Sequence, residues 1–248
     1  MHPFFKDYNF YGFIHRGGDE EKTENTLEAF QHSSDLGFVF METDVQSTSD
    51  GKVVVFHDND LKRVAGLNKK VSDLTLQEIK KIELFKGGRV PSLDETLSSF
   101  PNLRFNIDIK VDSAVDETIK VIKKHDAFNR VCLAAFSTRR LNLIRKIAGP
   151  ALCSSMGQAE VIQLFLNCYG LNFKISPGMC AQVPVSQFGI PIVTQRFINK
   201  VHDLNKLIHV WTIDETEHMF RLIDLGVDGL MTDKPTVLKG AMIERNLF

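Results

Sequence analysis

Eight short apolar segments, starting near residues 12, 38, 104, 131, 151, 179, 207 and 227, alternate along this chain with stretches of helical periodicity. The alternation constrains the fold more than any motif does, because parallel strands need long crossovers and a helix is the usual crossover. YGFI leads into a helical stretch through ENTLEAFQHSSDLG, and RFNIDIK leads into DSAVDETIKVIKKH. VCLAAFS, ALCSSMG, MCAQVPV, LIHVWTI and VDGLMTD are each followed by a further apolar-periodic stretch. Eight such units in 248 residues predict one α/β domain over 1–248, a (β/α)8 TIM barrel. A doubly wound open sheet is the alternative that the same pattern allows. Lys52–Phe56 is read as an excursion, a small β-hairpin after the second strand turned by Asp50-Gly51.

Composition removes whole classes of function. The net charge of −1 leaves no basic footprint for nucleic acid. No apolar run reaches the ~18 residues of a membrane span, and the first residues carry no basic segment leading into a signal-length apolar run. The expectation is a cytoplasmic protein without stable membrane insertion. Cys132, Cys153, Cys168 and Cys180 form no CxxC pair and are expected to be buried free thiols. There is no Gly-x-Ser-x-Gly, Walker loop or Gly-x-Gly-x-x-Gly.

The unusual unit is FVFMETDVQSTSDGKVVVFHD, residues 38–58. As a strand it sets Phe38, Phe40, Glu42 and Asp44 on one face, with Val39, Met41, Thr43 and Val45 on the other. Two carboxylates on an apolar face are costly to bury unless they are paired or bind a metal. The returning strand KVVVF brings His57 and Asp58 level with them. In RFNIDIK, Phe105, Ile107 and Ile109 share one face and Asn106, Asp108 and Lys110 the other. Barrel active sites lie at the C-terminal strand ends, where His15, Glu42, Asp44, Asp108, Lys110, Ser137, Trp211 and Asp233 all fall.

Glu42, Asp44 and Asp108 form an oxygen-only set suited to a hard divalent cation, Mg²⁺ or Ca²⁺. Rim salt bridges to Arg16 and Lys110 are the other use they could have. His15 and His57 are candidate proton shuttles. Arg16 and Lys110 would hold a phosphate, or only neutralise the acids. His209 shares a strand face with Trp211 one layer deeper and is expected to be packed. From residues alone the reading is a metal-assisted phosphate-ester enzyme with a two-histidine acid-base system.

HRG at 15–17, ENTLEAF at 24–30, ETDV at 42–45, DGKVVVFHD at 50–58, WT at 211–212 and GVDGLMTDKP at 226–235 resemble the glycerophosphodiester phosphodiesterase family, in the family's order. The resemblance implies a (β/α)8 barrel that hydrolyses glycerophosphodiesters to an alcohol and sn-glycerol 3-phosphate, in lipid and glycerol metabolism. It places the catalytic histidines at His15 and His57, and the metal-binding acids at Glu42, Asp44 and Asp108. Arg16 and Lys110 match phosphate-contacting positions, and Trp211 an aromatic of the substrate pocket. His57 is expected to protonate the leaving alkoxide with His15 as its base partner, the reverse remaining open, as does the choice between a cyclic intermediate and direct attack by water. Three positions depart from the family pattern: Thr23 for proline, Asp108 for glutamate and Asp214 for asparagine. The short segment after His57 implies an open site. A lysophospholipase D-type enzyme, acting on an acylated glycerol, would need an apolar groove at the rim, for which Phe136, Met156 and Trp211 are too few.

Overall fold

The computed structural model describes residues 1–248. Its strands are β1 (Tyr11–Ile14), β2 (Phe40–Ser47), β3 (Val53–Val55), β4 (Arg104–Ile109), β5 (Val131–Ala134), β6 (Cys153–Ser154), β7 (Cys180–Pro184), β8 (Ser186–Gln187), β9 (Ile190–Pro191), β10 (Leu207–Trp211) and β11 (Gly229–Thr232). Eight of them pair in the order β6-β5-β4-β2-β1-β11-β10-β7, all parallel. The two ends meet through a parallel bridge between Ser155 and Cys180. There the Met156 N–H donates to the Cys180 carbonyl and the Met179 N–H to the Ser154 carbonyl, both at 2.8 Å. The sheet therefore rings into a barrel, and the open-sheet alternative is excluded.

The crossovers are α1 (Leu27–Asp35), the short α2 (Lys62–Ala65) and α3 (Leu76–Ile79), α4 (Leu93–Ser99), α5 (Val115–Lys124), α6 (Thr138–Ala148), α7 (Gln158–Asn167), α8 (Gln195–Asp203) and α9 (Thr216–Leu225). A last helix, α10 (Pro235–Glu244), follows the final strand. Thr26, Ser92, Ser137 and Thr194 each accept a backbone N–H three residues on, the usual hydroxyl cap where a strand-end loop becomes helix. No helix is long and apolar enough to cross a membrane.

Strand alternation sorts the core into two parts. Met41, Val45, Phe105, Ile107, Ile109, Val131 and Leu133 face the helices, within a cluster of 45 buried residues. Tyr11, Phe13, Phe40, Cys132, Cys153, Cys180 and Met231 point into the ring, where Phe4 and Phe5 from the N-terminal turn plug its lower end. His209 is fully buried there, its ring centroid 4.8 Å from that of Phe13. All four cysteines are free; Cys132, Cys153 and Cys180 are buried, while Cys168 on the outer layer is only half-buried. Phe38 departs from the expected face: it precedes β2 and packs outside the ring against Phe248, at 5.2 Å between centroids.

The β2–β4 register sets Glu42 beside Asn106 and Asp44 beside Asp108. β3 pairs antiparallel with β2, and the Phe56 N–H donates to the Asp44 carbonyl at 2.9 Å, which fixes His57 next to the acids. The segment after His57 builds a small core of its own, in which Leu61, Val71, Leu74, Ile79, Leu84 and Val90 pack with Val54 and Phe56 of the hairpin. The hairpin β8–β9 was not legible in sequence, because its two-residue strands carry no periodicity.

Candidate active site

His15, Arg16, Glu42, Asp44, His57, Asp108, Lys110 and Trp211, all singled out in sequence, line one cavity of about 660 Å³ at the C-terminal mouth of the barrel. β1 ends at Ile14 and turns sharply through His15–Gly17, with Arg16 at φ 51°. Gly17, at φ +81°, lets this turn lie against α1; a Cβ there would stand 2.8 Å from that of Ala29. The turn aims the Arg16 N–H at Glu42 Oε2, 3.2 Å away, and hands His15 Nδ1 to Asp233 Oδ1 at 2.7 Å. His57 Nδ1 meets Asp58 Oδ1 at 2.6 Å. Each imidazole is thus held by a carboxylate at Nδ1, the orienting logic of a catalytic histidine, and His15 Nε2 also lies 3.8 Å from Glu42 Oε2.

Charge is packed densely here. The Lys110 ammonium sits 2.7 Å from both Asp44 Oδ1 and Asp108 Oδ2, and Arg16 Nε is 3.3 Å from Asp44 Oδ2. Burial would raise the Asp44 carboxyl, but Lys110, Arg16 and His57 outweigh it and hold it low. Glu42 has weaker partners, so burial and the Asp44 charge push it up to about 7. Burial opposes the charge on His15, yet Glu42 and the hydrogen-bonded Asp233 raise it to about 9. Asp108 is raised by burial, with Lys110 pulling the other way.

The acids have the chemistry of a divalent-cation site. Asp108 Oδ1 is buried and accepts no hydrogen bond, and Glu42 is strained beside a like charge. A hard cation would relieve both conditions. As the side chains stand, however, no three acidic, histidine or cysteine groups are arranged to hold an ion. Lys110 lies between Asp44 and Asp108, the position between two carboxylates that a cation would favour.

Several residues of this site carried no role in the sequence reading. Arg63, on α2, donates to both oxygens of Glu24 at 2.5 and 2.7 Å and to Asp58 Oδ2 at 2.7 Å. Glu24 also accepts from Arg16 at 3.2 Å, so one network runs from His57 to the Arg16 turn. Asn25, at φ 56°, donates to Asp44 Oδ2 at 3.0 Å. Asp214, the departure after the Trp-Thr motif, accepts from Thr232 Oγ1 and the Asp233 N–H at 2.8 Å and so steadies the carboxylate behind His15. The signals available in sequence were the Glu24-Asn25 pair ahead of the Thr26 cap and the Asp214 departure.

Half of the 28 lining residues are hydrophobic, and Asn106, Ser155, Gln158, Gln182, Gln187 and Thr212 add uncharged polar groups. Phe136 stands edge-on to Trp211 at 5.9 Å, and beyond them α7 contributes Val161, Ile162, Phe165 and Leu166. Phe188 and Ile190 from the β8–β9 hairpin line it as well. The expectation that the rim lacks an apolar groove is therefore corrected: α7 and the hairpin supply one that Phe136, Met156 and Trp211 alone could not.

The model of the glycerophosphoryl diester phosphodiesterase family matches residues 15–237. The chain belongs to this family. Among relatives of this phosphodiesterase, a probable glycerophosphodiester phosphodiesterase 2 of Mycobacterium tuberculosis is 33% identical over 89% of this chain and 86% of its own length. The lysophospholipase D GDPD1 of Homo sapiens is 30% identical over 91% of this chain and 83% of its own. A solved Oleispira antarctica phosphodiesterase in complex with the product sn-glycerol-3-phosphate shares the fold at a TM-score of 0.79, with 18% identity, covering 94% of this chain and 96% of that one. The chain is thus a hydrolase of the phosphodiesterase class on a TIM-barrel frame.

Proposed function

We propose that this phosphodiesterase cleaves glycerophosphodiesters by general acid-base catalysis between His15 and His57, with divalent-metal support. The observation that carries the reading is the gathering of two carboxylate-held imidazoles, two cations and three acids around one cavity. Arg16 and Lys110 hold the phosphate oxygens, and Trp211 packs the substrate's carbon skeleton. The attacking hydroxyl, from water or the glycerol, loses its proton to His15 as its oxygen bonds to phosphorus. The bond from phosphorus to the head-group oxygen breaks, and His57 protonates that oxygen. A hard divalent ion on Glu42, Asp44 and Asp108 would polarise the phosphoryl group and cancel the negative charge that holds a proton on His15.

A second reading places an acyl chain on the glycerol, as the name of the Homo sapiens relative implies. The apolar half of the cavity is the observation that favours it. The first test is release of glycerol 3-phosphate from glycerophosphocholine and glycerophosphoethanolamine, after chelation and with Mg²⁺ or Ca²⁺ restored, beside His15→Ala and His57→Ala. Metal-dependent release lost in both variants is expected. No release from folded protein with either ion would overturn the reading.

A further inference from the structure

We propose that the flank of the barrel within residues 127–202, chiefly α7, the segment after it and the β8–β9 hairpin, docks the protein reversibly on anionic lipid bilayers. The docking belongs to the outer surface and does not depend on which diester the barrel cleaves.

Charge is the first observation. The net charge of −1 hides a sharp division along the chain. Residues 127–202 carry eight Lys or Arg against one acid, Glu160, while the other 172 residues carry 22 against 30. Glu160 is buried and pairs with Arg145 at 2.7 Å, so it puts no negative charge on the surface. Arg139 and Arg140 pair with Asp112, and Arg130 donates to the carbonyls of Leu97 and Phe100. Lys146, Lys174, Arg196 and Lys200 remain without an acidic partner, Arg196 lying over the Tyr169 ring at 5.2 Å.

The second observation is apolar. The same stretch, under a third of the chain, holds ten of the sixteen large apolar side chains that the molecule exposes. Tyr169, Leu171, Phe173 and Ile175 follow α7, and Phe188, on the hairpin, is 92% exposed. A surface helix ordinarily turns charged residues outward. On α7 the only ionisable residue is the buried Glu160, and Ile162 meets solvent instead. These parts are continuous. The Phe173 N–H donates to Asn167 Oδ1 at 2.7 Å, which ties the following segment back to α7. Phe165 packs against Tyr169 at 5.2 Å between centroids and Phe197 of α8 at 6.3 Å, and it shares a cavity wall with Phe188 and Ile190.

Exposed apolar side chains among unpartnered cations, with no free acid, match one kind of surface. An anionic bilayer takes the apolar groups at its headgroup boundary and the cations at its charged face. A nucleic acid would use the cations and leave Leu171, Phe173, Ile175 and Phe188 in water. A second copy of the chain, paired by a two-fold axis, would set the same cations against one another. Because Ile162, Phe188 and Ile190 also border the cavity, docking holds the catalytic mouth at the bilayer surface.

The test sediments the full chain with vesicles of phosphatidylcholine, alone or with about one-third phosphatidylglycerol. It is run in low salt and in about 1 M salt, where the Debye length falls to about 3 Å. Binding to the anionic vesicles is expected, weak on phosphatidylcholine alone and reduced in high salt. Each unpartnered cation should contribute about fivefold, so Lys174→Gln with Arg196→Gln should lower the partition coefficient about 25-fold. Leu171→Ser with Phe173→Ser, neither of which lines the cavity, should lower it about tenfold at either salt. Circular dichroism checks that both double variants fold. Absence of the folded parent protein from the anionic vesicle pellet overturns the docking. Binding that neither double variant changes overturns its placement on this flank. A dimer dissociated by the apolar pair, or binding of a DNA duplex lost with the cation pair alone, gives the flank to another occupant and overturns it as well.

Discussion

Arg63 shows how much of this site depends on single side chains outside its motifs. Its guanidinium joins Glu24 to Asp58, and Asp58 in turn holds His57. Arg63→Ala frees both carboxylates and lets the His57 ring turn. We expect kcat to fall about 10- to 100-fold, the usual cost of losing an orienting partner, with KM little changed. Arg63→Lys keeps the charge but not the fork and should recover only part of the rate. The side chain is about half exposed, so folding should survive, and circular dichroism on the same samples checks that. His15→Ala and His57→Ala remove the proton shuttles themselves and should each lower kcat by about 10²–10⁴. Asp233→Asn keeps the shape of the partner behind His15 but weakens its hold on the ring; its kcat should fall between those of Arg63→Ala and His15→Ala.

At the scale of elements, the pair β2–β4 concentrates like charge that a bare protein tolerates poorly. Glu42, raised to about 7 by burial and by Asp44, costs stability where it is ionised. Because its folded value lies above its unfolded one, the folded chain binds the extra proton. That penalty grows as pH rises through the window from the ordinary carboxylate value to about 7. Glu42→Gln should therefore raise the Tm of chelator-treated protein at pH 8, by about 2–4 °C for each kcal/mol gained. The same variant should lose most of the further rise that Mg²⁺ or Ca²⁺ gives the parent protein, since an ion stabilises only in proportion to its binding. Thermal scans with and without metal measure both effects, and an unchanged metal response would remove Glu42 from the ion site. The element pattern was legible in sequence wherever a strand or helix was long enough to show its period, as in RFNIDIK and DSAVDETIKVIKKH. It failed in the excursion, where LTLQEIKKIEL yields only the one-turn helix α3, because its apolar residues pack into a separate small core.

Across the whole molecule, the ring encloses a buried, aromatic-rich floor, and His209 is its one titratable imidazole. Burial lowers it to about 3, against 6.5 for an ordinary histidine. Between those two values the unfolded chain binds a proton that the folded chain refuses, so stability falls as pH drops, by up to about 1.4 kcal/mol per pH unit. His209→Leu removes this term, and its urea-unfolding free energy should fall less steeply than that of the parent between pH 6 and pH 5. Equal slopes would mean that His209 is reached by water. The floor also accounts for the aromatic N-terminus: Phe4 and Phe5 are fully buried against Tyr11, Phe13 and Phe40. Phe4→Ala should cost about 3–5 kcal/mol as a cavity in a core with no room to collapse, readable as a fall in the urea midpoint.

The sequence by itself determined the eight alternating units, the carboxylate face of β2 and its match in β4, because strand and helix periods are local and survive in a single chain. Six of the cavity residues, His15, Glu42, Asp44, Asp108, Lys110 and Trp211, followed from one rule, that barrel chemistry sits at strand ends, and Arg16 and His57 from the adjoining short motifs, while Ser137, which the same rule offered, caps α6 and does not line the cavity. Only the tertiary structure decided who stands behind them. His15 is held by Asp233, 218 residues away, and Glu24 by Arg63 across 39. Contacts of that span arise from ring closure and leave no local periodicity. The same holds for the apolar side of the cavity: α7 reads in sequence as an ordinary helical stretch, and only the fold sets its Val161, Ile162, Phe165 and Leu166 and the hairpin's Phe188 and Ile190 along one space.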